Sequence, residues 1–140
     1  LSELGNKFCI ITNQSGINRG LIKEENLNFI HDFIYEIFKQ HEIKLLKIYT
    51  CFDHPDNATD RRKPGIGMFL EAKRDYGLDL KKCLMVGDSY ADMKAGLLLD
   101  MDTMLVLTGH GQKTLDILDK NETPTYVVKD LGDGVEKLCL

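Results

Sequence analysis

Short apolar runs alternate along this chain with longer segments whose apolar residues recur every three or four positions. "FCIIT" (8–12) has no polar interruption and predicts a buried strand, and the turn formers of "NQSGINRG" follow it. From Glu24 to about Gln40, Leu27, Ile30, Phe33, Ile34, Ile37 and Phe38 fall at helical spacing. That pattern predicts a helix with Phe29, Phe33 and Phe38 in the core, and His31 and His41 on its surface. "LLKIYTC" (45–51) predicts a second strand, followed by the polar loop "FDHPDNATDRRKPG". Met68, Phe69, Ala72 and Tyr76 predict a helix closed by Gly77. "KCLMVGD" reads as a third strand, "YADMKAGLLL" as a third helix and "DTMLVLTG" as a fourth strand. "TGHGQKT" reads as a glycine-rich turn, in which His110 is a marginal substrate neighbour. "PTYVVKDL" predicts a short fifth strand before a helical tail.

Strands that alternate with helices imply an α/β fold with a parallel sheet covered on both faces. In such sheets ligands bind beyond the carboxyl ends of the strands. The polar clusters sit at those ends: "TNQSG" after strand one, "DHPDNATDRRKP" after strand two, "GDSYAD" after strand three. Three strands thus deliver hydroxyls, cations and carboxylates to one edge.

Composition narrows the classes. A chain of 140 residues with 43% hydrophobic and 29% charged content is one globular domain. Its net charge of −4 disfavours nucleic acid as the main partner. No apolar run approaches the roughly 20 residues of a membrane helix, and no secretory signal pattern opens the chain. Cys9, Cys51, Cys83 and Cys139 lie far apart without a CxxC pair, and Cys9 and Cys83 sit in apolar runs. The expectation is a protein of the reducing cytoplasm rather than a disulfide-stapled one.

The three loops suit phosphate chemistry. Asp88, at a strand end, can hold Mg²⁺, which takes one or two carboxylates plus water and substrate phosphate. Asp92, one helical turn on, can share the ion or orient a basic neighbour. Read alone, Asp88 could equally cap the helix starting near Ser89. Arg61, Arg62 and Lys63 supply guanidinium and ammonium groups for an anion, and Pro64 restricts Lys63 to an extended backbone. Thr12, Ser15 and the Asn13 amide add hydroxyl and amide donors. Together these groups form a receptacle for a phosphoryl group.

"IITNQSGINRG", "RRKPGIGM" and "MVGDSYADM", in this order, resemble the haloacid dehalogenase (HAD) superfamily. Within it they look most like the heptose 1,7-bisphosphate phosphatase and histidinol-phosphate phosphatase subgroup, over roughly residues 8 to 110. The resemblance implies a Rossmannoid three-layer sandwich and a Mg²⁺-dependent phosphatase of a small phosphorylated sugar or amino alcohol, working through an aspartyl-phosphate. It further implies that Thr12 and Lys63 are catalytic, with Thr12 bonding the transferring group and Lys63 neutralising its charge. Asp88 would bind the metal with help from Asp92, and Asn13, Gln14, Ser15, Arg62 and Ser89 would contact substrate.

Two departures from the resemblance stand out. The subgroup commonly carries a zinc loop of pattern CxH…CxC before RKP. Here Cys51 is present, but Asp53 holds the His position and Thr59 and Arg61 hold the last two Cys positions. One soft ligand cannot build a tetrahedral zinc site. No zinc is expected, and His54 reads as a surface residue. The second departure is the missing DxDxT strand, which carries the nucleophile and is central in the family's sheet. Its absence predicts a gap of two strand spacings, about 10 Å, between strands one and three. The expectation is that these 140 residues are a single HAD-like domain forming the C-terminal portion of a longer protein or of a decayed gene. Without that strand these residues should not hydrolyse phosphoesters by this mechanism, and a non-catalytic binding or interaction remnant is the alternative.

Overall fold

The computed structural model describes residues 5–139. The elements run β1 (Phe8–Asn13), α1 (Glu24–Gln40), β2 (Leu45–Cys51), α2 (Gly67–Tyr76), β3 (Leu84–Gly87) and α3 (Tyr90–Leu98). They continue with β4 (Asp102–Val106), α4 (Gly111–Ile117), β5 (Tyr126–Val128) and α5 (Leu131–Cys139). The predicted elements all occur, with α1 and β2 at the expected boundaries. α2 ends where expected, because Gly77 takes the left-handed conformation (φ 62°) and its N–H returns to the Lys73 carbonyl. The helix α4 was not anticipated. Its seven residues carry too weak a periodicity, and it is placed by tertiary contacts: Gly111 is buried where a Cβ would run into the Val106 carbonyl.

Every strand pairing is parallel. β1 pairs with β2, setting Thr12 opposite Thr50, and β3, β4 and β5 pair in that order, setting Met85 opposite Thr103. Among the described residues no ladder joins β1 to β3, so the strands form a two-stranded and a three-stranded sheet. The break falls where the resemblance puts its central strand. Burial follows the topology. Thr103, Met104 and Leu105 of the inner strand β4 are fully buried, whereas all six β1 residues are half-buried and Val86 of β3 is 36% exposed. Both strands are behaving as edges.

Two apolar clusters span the break. Tyr49, Cys51, Met68 and Ala72 form one, and Phe69, Leu80, Met85 and Ala95 the other. Ile11 and Leu78 pack against both. The helix α2 therefore welds the two sheets by turning Met68 and Ala72 to one side and Phe69 to the other.

One core expectation fails. Phe29 and Phe33 are 74% and 60% exposed, while Phe38 is half-buried and meets Phe8 edge-on, ring centroids 6.3 Å apart. α1 buries Leu27 and packs on β2. The narrow sheet beneath it covers only part of the apolar arc. His41 is exposed as expected, and His31 is partly covered. No helix among the described residues is long and apolar enough to cross a membrane.

Candidate active site

The site is organised around Lys63. Its backbone pairs reciprocally with the Asn13 side chain at the end of β1. The Asn13 Nδ2 donates to the Lys63 carbonyl (3.1 Å), and the Lys63 N–H donates to Asn13 Oδ1 (3.0 Å). Fifty residues of separation are closed by one side-chain amide. The ammonium then crosses the break between the sheets, donating to the Ile11 carbonyl (2.5 Å) and to Asp92 Oδ1 (2.6 Å). Both side chains of the ion pair are nearly buried, at 10% and 9% exposure. Charges so far from water persist only when paired and hydrogen-bonded. The peptide bond between Lys63 and Pro64 is cis.

Asp92 has its other oxygen engaged as well. Oδ2 accepts from the Ser89 N–H (3.1 Å) and from Ser89 Oγ (2.7 Å), while the Asp92 N–H donates to Ser89 Oγ (3.2 Å). Ser89 is the N-cap of α3 and Asp92 completes the capping box. Of the two roles open to Asp92 in the sequence, its contacts match the orientation of a basic neighbour. Gly87 makes this possible, because a Cβ there would lie 2.5 Å from the Asp92 side chain.

Asp88 is not the helix cap, so the capping alternative is set aside. Its Oδ2 accepts from the His110 N–H (2.8 Å), and its carbonyl accepts from Thr114 Oγ1 (2.8 Å). Gly109, at φ 59°, lies so close that a Cβ would run into Asp88 Oδ2. The turn after β4 thus aims this carboxylate. Oδ1 accepts no hydrogen bond from the described residues and is a hard oxygen donor, which fits Mg²⁺. Among the described residues no three His, Cys, Asp or Glu side chains gather as a metal centre. A cation at Asp88 would therefore be completed by water and substrate oxygens.

The remaining predicted residues divide. Thr12 stands at the end of β1 beside Asn13, and its Oγ1 accepts from Gln14 Nε2 (3.3 Å). Ser15 lies in the turn that follows, where its carbonyl accepts from the Arg19 N–H (3.1 Å). Arg62 is not drawn to Lys63 or Asp92; its Nη1 donates to the Asp53 carbonyl (3.0 Å). The structure therefore joins Asn13, Lys63, Asp92 and Ser89 in one network, and sets Asp88 in a second one with His110 and Thr114. Sequence reasoning missed the supporting parts, Gly109 and Thr114. The spacing of "TGHG" behind a strand end was the available signal, and it was read only as a turn.

Cys51, Asp53, Thr59 and Arg61, the four positions compared with a zinc loop, touch one another. Asp53 Oδ2 accepts from the Thr59 N–H (2.8 Å) and Oγ1 (2.5 Å), and Thr59 Oγ1 accepts from the Arg61 N–H (3.2 Å). These Thr59 bonds, the side-chain one foremost, hold the Asp53 carboxyl below the usual range. His54 instead receives the Asp56 N–H on Nδ1 (3.2 Å).

Residues 60–134 match the HAD-hydrolase-like family. The chain is 41% identical over 98 residues to a D-glycero-alpha-D-manno-heptose-1,7-bisphosphate 7-phosphatase of Campylobacter jejuni, covering 70% of this chain and 56% of that protein. It is 39% identical over 129 residues to the corresponding beta-heptose enzyme of Bordetella bronchiseptica, covering 92% of this chain and 72% of that protein. The chain thus spans just over half the length of the first relative and under three quarters of the second. A crystal structure of D,D-heptose 1,7-bisphosphate phosphatase from B. bronchiseptica, complexed with magnesium and phosphate, superposes with a TM-score of 0.87 at 35% identity. That match covers 99% of this chain and 77% of the other. With a family match over residues 60–134, more than half of the chain, and a relative 39% identical of which the chain covers 72%, the chain belongs to the HAD-hydrolase-like family.

Proposed function

We propose that these residues form the phosphate- and magnesium-binding portion of a phosphoric monoester hydrolase acting on a heptose 1,7-bisphosphate. The observation that carries the reading is the nearly buried Lys63 ammonium, held between the Ile11 carbonyl of β1 and Asp92, with its own backbone tied to Asn13. A fixed cation in a poorly hydrated site stabilises charge developing on phosphoryl oxygens far better than a solvated one. Thr12 Oγ would hydrogen-bond a phosphoryl oxygen, and Asn13, Gln14, Ser15, Arg62 and Ser89 would meet the rest of the substrate. Asp92 would act mainly by holding Lys63. Mg²⁺ at Asp88, when bound, would supply further neutralisation of the phosphoryl charge. The attacking carboxylate would come from a strand seated between β1 and β3, where both sheets present open edges. Such a strand would compete with Lys63 for the Ile11 carbonyl, turning the ammonium toward the phosphate. All four cysteines are unpaired, which suits a cytoplasmic setting.

Phosphate release by a polypeptide carrying residues 1–140 behind a DxDxT strand tests the proposal. Heptose 1,7-bisphosphate should be hydrolysed with Mg²⁺ and histidinol phosphate far more slowly. Equal turnover of both substrates would defeat the heptose assignment, and no turnover of either would favour a non-catalytic phosphate-binding role. Asp88→Asn keeps an acceptor for the His110 N–H, so it should weaken Mg²⁺ binding while leaving stability nearly unchanged. An unaltered Mg²⁺ titration would remove Asp88 from the metal.

A further inference from the structure

The loop from Asp53 to Arg62 runs from the end of β2 to Lys63, and its two ends are drawn together at Asp53. Asp53 Oδ2 takes two hydrogen bonds from Thr59, at 2.8 and 2.5 Å. Thr59 passes the connection on, because its Oγ1 accepts from the Arg61 N–H (3.2 Å) and its carbonyl from the Arg62 N–H (3.1 Å). Arg62 returns to the start of the loop, donating from Nη1 to the Asp53 carbonyl (3.0 Å). Arg61 is braced separately, by the Thr50 carbonyl (3.2 Å) and by Glu71 of α2 (3.1 Å). The next residue is Lys63, whose N–H is bonded to Asn13.

We propose that Asp53 is a positioning residue: with Thr59 it forms a metal-free clasp that closes the loop and sets the backbone of Arg62 and Lys63 against Asn13. The inference goes beyond the proposed function and leans on it only for what Lys63 then does to a substrate. The physical reason is reach. Lys63 is tied to Asn13 by its backbone, so its ammonium arrives between Ile11 and Asp92 only if the preceding loop delivers that backbone at the right height. The loop holds one short 3₁₀ turn of its own, Pro55–Asn57, and that turn does not join the loop's two ends, whose unfixed residues each retain roughly 1–2 kcal/mol of backbone entropy. Elsewhere a metal could serve as the fixed point. Here the ionised Asp53, receiving an N–H and an O–H at once, serves that purpose.

Amide hydrogen exchange on the 140-residue chain, without ligand, tests this directly. Asp53→Ala and Thr59→Val should each speed exchange at Arg62 and Lys63 by about tenfold or more. Thr59→Ser, which keeps the hydroxyl, should stay within about twofold of the unsubstituted chain. Met104 and Leu105 amides in β4 serve as the internal standard that each variant is folded. Chelator should change nothing. Unaltered exchange at Lys63 in both Asp53→Ala and Thr59→Val overturns the clasp, as does loss of protection on adding chelator. If Asp53→Ala fails to fold, the milder Thr59→Val decides. A failure of phosphate release leaves this measurement standing, because no substrate enters it.

Discussion

Lys63 and Asp92 illustrate what a nearly buried ion pair demands of its neighbours. Removing one partner strands the other charge in a poorly hydrated place, so Lys63→Met should lower stability by about 3 kcal/mol or more. Urea unfolding of the 140-residue chain measures it. The double variant Lys63→Met with Asp92→Asn should recover part of the loss, since no unpaired charge then remains. A double variant as damaged as the sum of the singles would mean the pair is not coupled. The residue types at these positions were readable from "RRKP" and "GDSYAD", but their partners were not. Whether Asp92 binds a cation or holds a lysine depends on a contact 29 residues away. The local sequence of α3 encodes the capping box with Ser89 but not that choice. Asp88 shows the same limit: its support comes from His110 and Thr114, on the far side of β4 in the chain.

At the level of elements, α2 and β2 are fastened by Asp75. Its carboxylate accepts from Arg74 (2.9 and 3.1 Å), from the Tyr49 hydroxyl (3.0 Å) and from Lys47 (3.2 Å). Arg74 is the largest of these influences, and together they hold the carboxyl down at about 2 against an ordinary 3.8. Burial, seconded by the hydrogen bond to this carboxylate, pushes the Tyr49 hydroxyl well up. A carboxyl depressed on folding stabilises the native state above its unfolded value and loses that contribution as pH falls toward the folded one. Comparing the chain with Asp75→Asn by urea midpoint, the advantage should be constant above about pH 5. It should shrink as pH drops through 3.8 and be lost as pH falls below about 2. A gap between the two that ignores pH would remove Asp75 from the acid response. Helix α1 gives a different lesson. Phe29→Ser with Phe33→Ser should change stability by no more than about 0.5 kcal/mol each, because both rings are already exposed. Met104→Ala, at 0% exposure, should cost about 3 kcal/mol.

For the molecule as a whole, the break between β1 and β3 is the dominant feature. Parallel sheets hold together when both faces and both neighbours of an inner strand are covered. β4 meets that condition, whereas among the described residues β1 and β3 each have one unpaired edge. Native-state amide exchange should therefore be slowest in β4, and faster in those β1 and β3 amides that do not face a partner strand. Uniform protection across all three would show that the edges are sealed. Adding the DxDxT strand should slow β1 and β3 selectively.

Periodicity and turn chemistry are short-range, so the order of strands and helices, the Gly77 stop and the three strand-end clusters were fixed by residues lying within a few positions of one another. The parallel α/β class followed from that order. Contact between clusters fifty residues apart, the division of labour between Asp88 and Asp92, the clasp at Asp53 and the exposure of Phe29 and Phe33 were decided only on folding. Each of these depends on which surface arrives opposite a side chain, and a linear pattern of apolar and polar positions carries no record of that.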